Sequence, residues 1–418
     1  MQLKTFLSKL KERKKSNLIT NASDVGLLKS DCQASMKVLT LLHVATLCFC
    51  FLYYLNAQTL LVFKNWMAII YTATIAMLII CDRKIKKKDF IYLAMLTLFG
   101  LLSVFFNNGG IGSVASLIFP LLFLCVVENC NINRSLVFIL KSTSIFVLCA
   151  FTVVAVLLFN DYNSYIVSFI DVNPNTIAMM TLMSFMLWYI LEDFDDKSNK
   201  IFFLLLIFVV FYIICKTKGR TSLLGFVVVC LLIVCPKRIA KKLLFKKCTE
   251  LIIIVLGLIV PLVYLSMDMM EVNLVLWDKS LYTGREEVWR NLFTQLSDGG
   301  VLNWLFGVGS DAEILGNSFD AHNSYFSVIG CFGVVGFLLY GLFFMKKIEL
   351  LYNFTNDAVV RKSIIALYAI LILSYFEAIN LISLGLFTFF IPIGLGLSRA
   401  RELNSKKNMC ADISIVSL

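Results

Sequence analysis

Twelve long apolar stretches constrain the fold of this chain more than any other feature of its sequence. Each approaches the roughly 20 residues that one helical crossing of a bilayer needs. The stretches cover residues 38–56, 59–81, 90–106, 111–127, 135–159, 175–191, 201–215, 222–235, 249–266, 323–344, 362–380 and 381–397. Only 16% of the residues are charged, against about 25% in soluble globular proteins, which excludes an ordinary soluble enzyme. We therefore expect an all-α polytopic membrane protein with about 12 transmembrane helices.

The cationic side chains are concentrated on one side of the predicted membrane. The net charge is +11, and most Lys and Arg residues lie in the two termini and in alternate connections between apolar stretches. Cytoplasmic loops of membrane proteins collect such residues, so we expect cytoplasmic termini and one long extracytoplasmic loop at 267–322. This distribution accounts for the positive net charge, so we expect no nucleic acid partner. The predicted parts are a basic segment (1–36), a transmembrane domain that includes the loop (37–397) and a tail (398–418).

One of only two histidines lies where the long loop re-enters the membrane. His322 belongs to the segment Asp320-Ala321-His322-Asn323-Ser324-Tyr325. A histidine at a membrane–water boundary can titrate near neutral pH and transfer a proton. The alternative is a loop histidine beside a helix cap, because Asp320, Asn323 and Ser324 are all good capping residues. Both interpretations stay open on these residues alone.

Cations on the predicted outer side break the trend of the other loops. Lys216, Lys218 and Arg220 lie in one short connection, where the topology rule gives them no role. In the long loop, Thr283 three residues before Glu286 fits a capping box, which places Arg285 in the first turn of a helix.

The helix dipole disfavours a cation in that first turn, so Arg285 needs a partner. The partner is either a nearby acid, such as Glu286, Glu287 or another acidic loop residue, or a phosphate, which a guanidinium binds through two hydrogen bonds. Arg290, five residues on, is expected to point elsewhere.

Other motifs in the predicted outer segments are weaker. The glycine pair Gly307 and Gly309 permits a tight turn but is too short for a nucleotide-binding loop. Pro174 and Asn175 predict a turn and a helix start. Neither a D-x-D nor an H-E-x-x-H motif occurs in the outer segments, so we expect no metal and no cofactor.

Taken in order, these motifs resemble the bacterial O-antigen ligase and polymerase superfamily. The resemblance lies in Asn173-Pro174-Asn175, Arg220-Thr221-Ser222, Thr283-Gly284-Arg285 with Trp289, the Gly307–Gly309 turn, His322-Asn323-Ser324-Tyr325, and Gly330, Gly333 and Gly336. The Lys-Gly pair before Arg220 departs from the Ser that is commoner there, so Lys218 could share the role of Arg220.

The resemblance implies a fold, a location and a reaction. It implies a GT-C-like helical fold in the bacterial inner membrane and inverting, metal-independent transfer of glycans linked to undecaprenyl diphosphate. It implies catalytic roles for His322, Arg285 and Arg220, the arginines on the diphosphate and the histidine on the acceptor hydroxyl. It further implies substrate contacts for a second set of residues: Lys218, Arg290, Asn323, Tyr325 and Asn175.

Three functions remain open from the sequence. We favour a polymerase that extends O-antigen, capsule or exopolysaccharide, with a chain-length regulator as a protein partner. The runner-up is a ligase that transfers the glycan to a lipid core or a protein. A flippase of lipid-linked oligosaccharides is a different class, and it should carry charges deep in the bundle; Lys64, Lys141 and Glu377 are the main charges within the predicted spans.

Overall fold

The computed structural model describes residues 86–107, 111–128, 134–158, 174–194, 200–235, 245–270, 275–276, 279–280, 284–309, 321–377 and 390–416. These residues form α1 (Lys87–Asn107), α2 (Ile111–Glu128), α3 (Arg134–Leu158), α4 (Pro174–Leu191), α5 (Lys200–Lys216), α6 (Arg220–Val234), α7 (Lys247–Met269), α8 (Arg285–Asp298), α9 (Gly300–Phe306), α10 (Ser324–Tyr352), α11 (Ala358–Leu373) and α12 (Ile391–Val416). A 3-10 turn, Glu192–Phe194, extends α4. Two short strands between α7 and α8, β1 (Val275–Leu276) and β2 (Lys279–Ser280), pair antiparallel, with Val275 opposite Ser280.

The protein is a helical membrane protein. Among the described residues, five helices are long and apolar enough to cross a membrane: Lys87–Asn107, Val137–Val156, Pro174–Phe194, Lys247–Met269 and Ser324–Tyr352. The apolar helices α2, α5, α6 and α11, and the apolar first turns of α12, also coincide with predicted stretches. The first two predicted stretches, 38–56 and 59–81, lie outside the described residues.

Successive apolar helices run in opposite directions, which defines two ends of the bundle. Four lysines lie at one end, here called the basic end, and each contacts a carboxylate of another helix or turn. The pairs are Lys86–Glu128 at 2.7 Å, Lys141–Glu192 at 2.6 Å, Lys347–Asp89 at 2.6 Å and Lys362–Asp193 at 2.8 Å. At the opposite end, here called the site end, α10 begins and α7 and α11 finish. A hydrogen bond of 3.0 Å from Ser324 N to Ser374 O joins α10 to α11 there.

Several helix boundaries differ from the prediction, and two of the differences are large. The helix predicted over 362–380 ends at Leu373, so Glu377 lies in the turn after α11. The helix predicted to end at 397 continues to Val416, through nearly all of the predicted tail (398–418). Apolarity locates a span, but polar residues can continue a helix beyond it, so hydropathy alone does not fix where a helix ends.

The centre of the bundle is formed by α4 and α11, which are buried on all sides. Every residue from Ile177 to Trp188 is buried, although no face of α4 is distinguished by its sequence. Gly225 of α6 allows close approach, because a Cβ there would lie 3.1 Å from the Leu182 side chain. A helix that is apolar all round and enclosed by other helices is the expected core of such a bundle.

Helix α10 is broken at Gly333, and the end of α9 lies in the break. Gly333 has φ +67° and ψ −176°, a conformation that only glycine adopts readily. The break frees two carbonyls: Gly330 O accepts a hydrogen bond from Val308 N at 2.6 Å, and Cys331 O accepts one from Ser103 Oγ at 3.1 Å. The sequence predicted an uninterrupted span here. The structure instead anchors the long loop into α10, and so fixes the elements that carry the candidate site.

Candidate functional site

Arg285 lies in the first turn of α8, as the sequence predicted, but it is the first residue of the helix and the helix start is built differently. The N-cap is Gly284, whose φ of +81° favours glycine, and this residue has no side chain with which to cap the helix. Glu286 Oε1 accepts a hydrogen bond from Gly284 N at 3.1 Å. The predicted capping box is therefore wrong in register; Thr283 itself lies outside the described residues.

The Arg285 side chain contacts the turn after α11. Its Nη2 lies 3.2 Å from Glu377 Oε1, and both side chains are only 14% exposed. The guanidinium also lies over the Phe376 ring, 5.7 Å from its centroid. The acidic partner that the helix dipole demands is therefore Glu377, 92 residues away, and neither of the adjacent glutamates.

His322 is held in a strained conformation at the start of α10. Its φ is +45°, a left-handed value that costs a non-glycine residue about 1–3 kcal/mol. The residue before it is fixed to α8, because Trp289 Nε1 donates a hydrogen bond of 2.6 Å to Ala321 O. The residue after it, Asn323, is the N-cap of α10 and accepts from Phe326 N at 2.8 Å. Strain maintained by its neighbours is typical of functional positions.

Glu377 links Arg285 to the His322 segment. While its carboxylate meets Arg285, its backbone carbonyl accepts a hydrogen bond of 2.8 Å from Ser324 Oγ, two residues after His322. Arg285 and the His322 segment are therefore bound to the same turn. Beneath them lies an aromatic cluster in which Trp289 is fully buried. Its members are Tyr264, Trp289, Phe326 and Phe376.

Arg220 belongs to the same neighbourhood. It is the first residue of α6 and precedes the apolar part of that helix. Burial lowers the pKa of the Arg220 guanidinium, and the positive charge of Arg285 acts in the same direction, against an opposing influence of Tyr264. The charges of two arginines from distant parts of the sequence are thus close enough to influence each other, and Tyr264 of the aromatic cluster also influences Arg220.

The short turn before Arg220 is packed against the start of α4. Gly219 is buried, and a Cβ there would lie 2.6 Å from the Ala178 Cβ. This contact brings the turn near Asn175, one helical turn before Ala178 on α4. Lys218 has φ +52° and is exposed at the tip of the turn.

The other predicted substrate-binding residues have structural contacts. Asn323 is fully buried, and its amide donates to Tyr375 O at 2.6 Å. Tyr325 is buried, and its hydroxyl donates to Leu371 O at 3.0 Å. Arg290 pairs with Asp268 at the end of α7 at 2.7 Å and is more than half exposed. In this structure Asn323 and Tyr325 hold α10 against α11, and Arg290 points away from Arg285 as the sequence suggested.

Glu377 is the site residue that the motifs did not identify. It appeared in the sequence only as a charge inside a predicted span. Such a charge is a functional hint by default, because an acid at membrane depth is costly without a partner. Pairing it with Arg285, however, requires the tertiary structure.

Within the described part of the chain, no group of three His, Cys, Asp or Glu residues is placed to hold a metal ion. Comparison of the sequence with protein-family models and with curated proteins gave no match. The resemblance described above therefore rests on the motifs alone.

Proposed function

We propose that this protein is a membrane glycosyltransferase that polymerises oligosaccharide repeat units carried on undecaprenyl diphosphate. The observation that supports this best is the convergence of Arg220, Arg285 and the His322 segment at one end of a helical membrane bundle. Such a location suits a donor whose lipid lies in the bilayer and whose diphosphate lies at its surface.

The electrostatics of the site suit an anion. Arg220 and Arg285 are both cationic and partly buried, and the only carboxylate found on Arg285 among the described residues is Glu377. Two guanidiniums can each bind phosphate oxygens through paired hydrogen bonds. The charge that develops on the leaving diphosphate would be stabilised by these fixed cations.

His322 supplies the acid–base group of the proposed reaction. The hydroxyl oxygen of the acceptor sugar attacks the anomeric carbon while the bond from that carbon to the phosphate oxygen breaks. The electron pair leaves with undecaprenyl diphosphate, and the hydroxyl proton passes to the imidazole of His322. Attack opposite the leaving group inverts the anomeric centre.

The charges within the helices favour this reaction over a flippase. Lys141 pairs with Glu192 near the basic end, and Glu377 lies beyond the end of α11, so both are near an end of the bundle rather than along a central path. Lys64 lies outside the described residues. The preference for a polymerase over a ligase rests on the composition and on the long loop, which resemble those of capsule-type polymerases.

The proposal is tested with purified protein in lipid nanodiscs, the undecaprenyl-diphosphate-linked repeat unit and a gel that separates products by length. We expect chains of many units from the wild type. Single transfers to an added lipid-core acceptor, with no chain growth, would show a ligase instead. Absence of both products would contradict the proposed chemistry.

The His322→Asn variant tests the role of the histidine. Asparagine tolerates positive φ, so this change removes the imidazole without adding backbone strain. We expect activity to fall by about 10²–10⁴-fold, the usual loss for a general base, with donor binding retained. A variant that still makes long chains would show that His322 only flanks the helix cap.

A further inference from the structure

Helix α9 exposes an apolar surface although it belongs to the loop between two spans. Val301 is 74% exposed and Leu302 57%, and Leu305 is also exposed. On its other side, Trp304 stacks on Phe293 of α8 with ring centroids 6.3 Å apart. One side of α9 is thus packed on the helix that carries Arg285, and the other is covered by no described residue.

The end of α9 lies below the membrane boundary that α10 defines. Lys346 marks the basic end of α10, and about 20 residues, the length of one crossing, lead back from it to Phe326. Gly330, which accepts the hydrogen bond from Val308 N, is four residues deeper, or about 6 Å at 1.5 Å per residue. The residues that follow α9 therefore lie at the depth of lipid hydrocarbon.

The polar backbone groups at the end of α9 are satisfied within the protein, as this depth requires. Phe306 O accepts hydrogen bonds from Ser103 Oγ and, at 3.0 Å, from Asn107 Nδ2. Gly307 N donates to Asn303 O at 2.7 Å. Irregular backbone is tolerated in the hydrocarbon region only where protein encloses it, and this helix end meets that condition.

The exposed side of α9 continues the lipid-facing surface of α1. Phe306 stacks on Phe106 and Phe99 of α1, with centroids 4.8 and 5.6 Å apart. Phe105 and Leu102, from the same end of α1, are exposed on the outer surface of the bundle.

We propose that α9 is embedded in the leaflet at the site end, with Val301, Leu302 and Leu305 in contact with the acyl chains of bilayer lipids. Through Trp304 and Phe293 it holds α8 at a fixed depth, so that Arg285 lies close to the level of the lipid phosphates. This inference concerns membrane contact and does not depend on the proposed reaction.

Cysteine labelling in lipid nanodiscs tests the proposal, with modification of each introduced cysteine measured by peptide mass spectrometry. Leu302→Cys should be labelled by bilayer lipids that carry a photoactivated diazirine on the acyl chain, and it should react at least tenfold more slowly than Glu287→Cys with a charged, water-soluble maleimide, because that reagent needs the thiolate. Glu287→Cys, at an exposed position of α8, should react with the maleimide only, and Leu292→Cys, at a buried position, with neither reagent.

Two results would overturn the proposal. Equal reaction of Leu302→Cys and Glu287→Cys with the water-soluble reagent would place α9 in water. Protection of Leu302→Cys from both reagents would show that protein, such as a second copy of the chain, covers it instead of lipid. Val301→Cys, on the same exposed side of α9, should give the same result as Leu302→Cys, which would exclude a local effect of one substitution.

Discussion

Replacing Gly333 by alanine should separate α9 from α10. The backbone at Gly333 has φ +67° and ψ −176°, a region that costs other residues about 1–3 kcal/mol. A Cβ at this position would also overlap the Leu305 carbonyl and lie 2.6 Å from Phe306 N. Backbone atoms cannot move aside as a flexible side chain can, so α9 has to shift.

The size of the effect follows from the hydrogen bonds of the α9 end that a shift would break. The hydrogen bonds from Val308 N to Gly330 O and from Asn107 Nδ2 to Phe306 O each contribute about 0.5–1.5 kcal/mol. Together with the backbone term, the free energy of unfolding should fall by about 2–6 kcal/mol.

A second glycine of α10 provides the control. Gly341 is helical, and a Cβ added there meets nothing within 4 Å. Gly341→Ala should therefore be neutral or stabilise the helix by about 0.5–1 kcal/mol. Both variants are compared with the wild type by denaturant unfolding in lipid–detergent micelles, followed by tryptophan fluorescence. Equal stability of Gly333→Ala and Gly341→Ala would refute the interlocked arrangement of α9 and α10.

Three further predictions concern the site. Inorganic pyrophosphate should raise the melting temperature of the wild type, since a ligand at 100 times its Kd stabilises by about 2.7 kcal/mol; Arg285→Lys should lose most of this shift, and Arg399→Lys at the basic end should keep it. Trp289→Phe removes the hydrogen bond to Ala321 O. We expect chain synthesis by the folded variant to fall severalfold, measured below its melting temperature; synthesis at the wild-type rate under those conditions would indicate a purely structural role. Excess chelator should leave glycan synthesis unchanged, and recovery by added magnesium after such a loss would disprove metal independence.

The sequence predicted the helices well because the transfer of apolar residues into lipid is a local property. Each described apolar helix corresponds to a stretch that hydropathy located, and Asn323, one of three capping residues that the sequence offered there, is the N-cap of α10. The break at Gly333 was not predictable in the same way. Glycine is common in membrane helices for close packing, and only the approach of α9, nearly thirty residues earlier in the chain, shows that Gly333 interrupts the helix.

The motifs selected candidate residues for the site but could not show how they are connected. They selected Arg220, Arg285 and His322; in the structure Glu377 links Arg285 to the segment that contains His322, and the charge of Arg285 influences Arg220. Glu377 was not identified as a site residue because its partner is 92 residues away and because a span was predicted to continue past it. Long-range ion pairs leave no periodic pattern in a sequence, whereas caps and amphipathic faces do.

The two ends of the bundle differ in which charges lie close together, and this difference bears on the proposed anion site. At the basic end, Lys347 contacts both Asp89 and Glu128, and Glu128 in turn contacts Lys86, so the charges cancel and clamp α1, α2 and α10 together. At the site end, Arg285 also pairs with a carboxylate, that of Glu377, and the positive charge of Arg285 additionally acts on Arg220. Like charges held close together in a partly buried position repel each other, and a bound anion relieves that repulsion. The proposed diphosphate site therefore predicts that an anion stabilises the protein through the site end and not through the basic end.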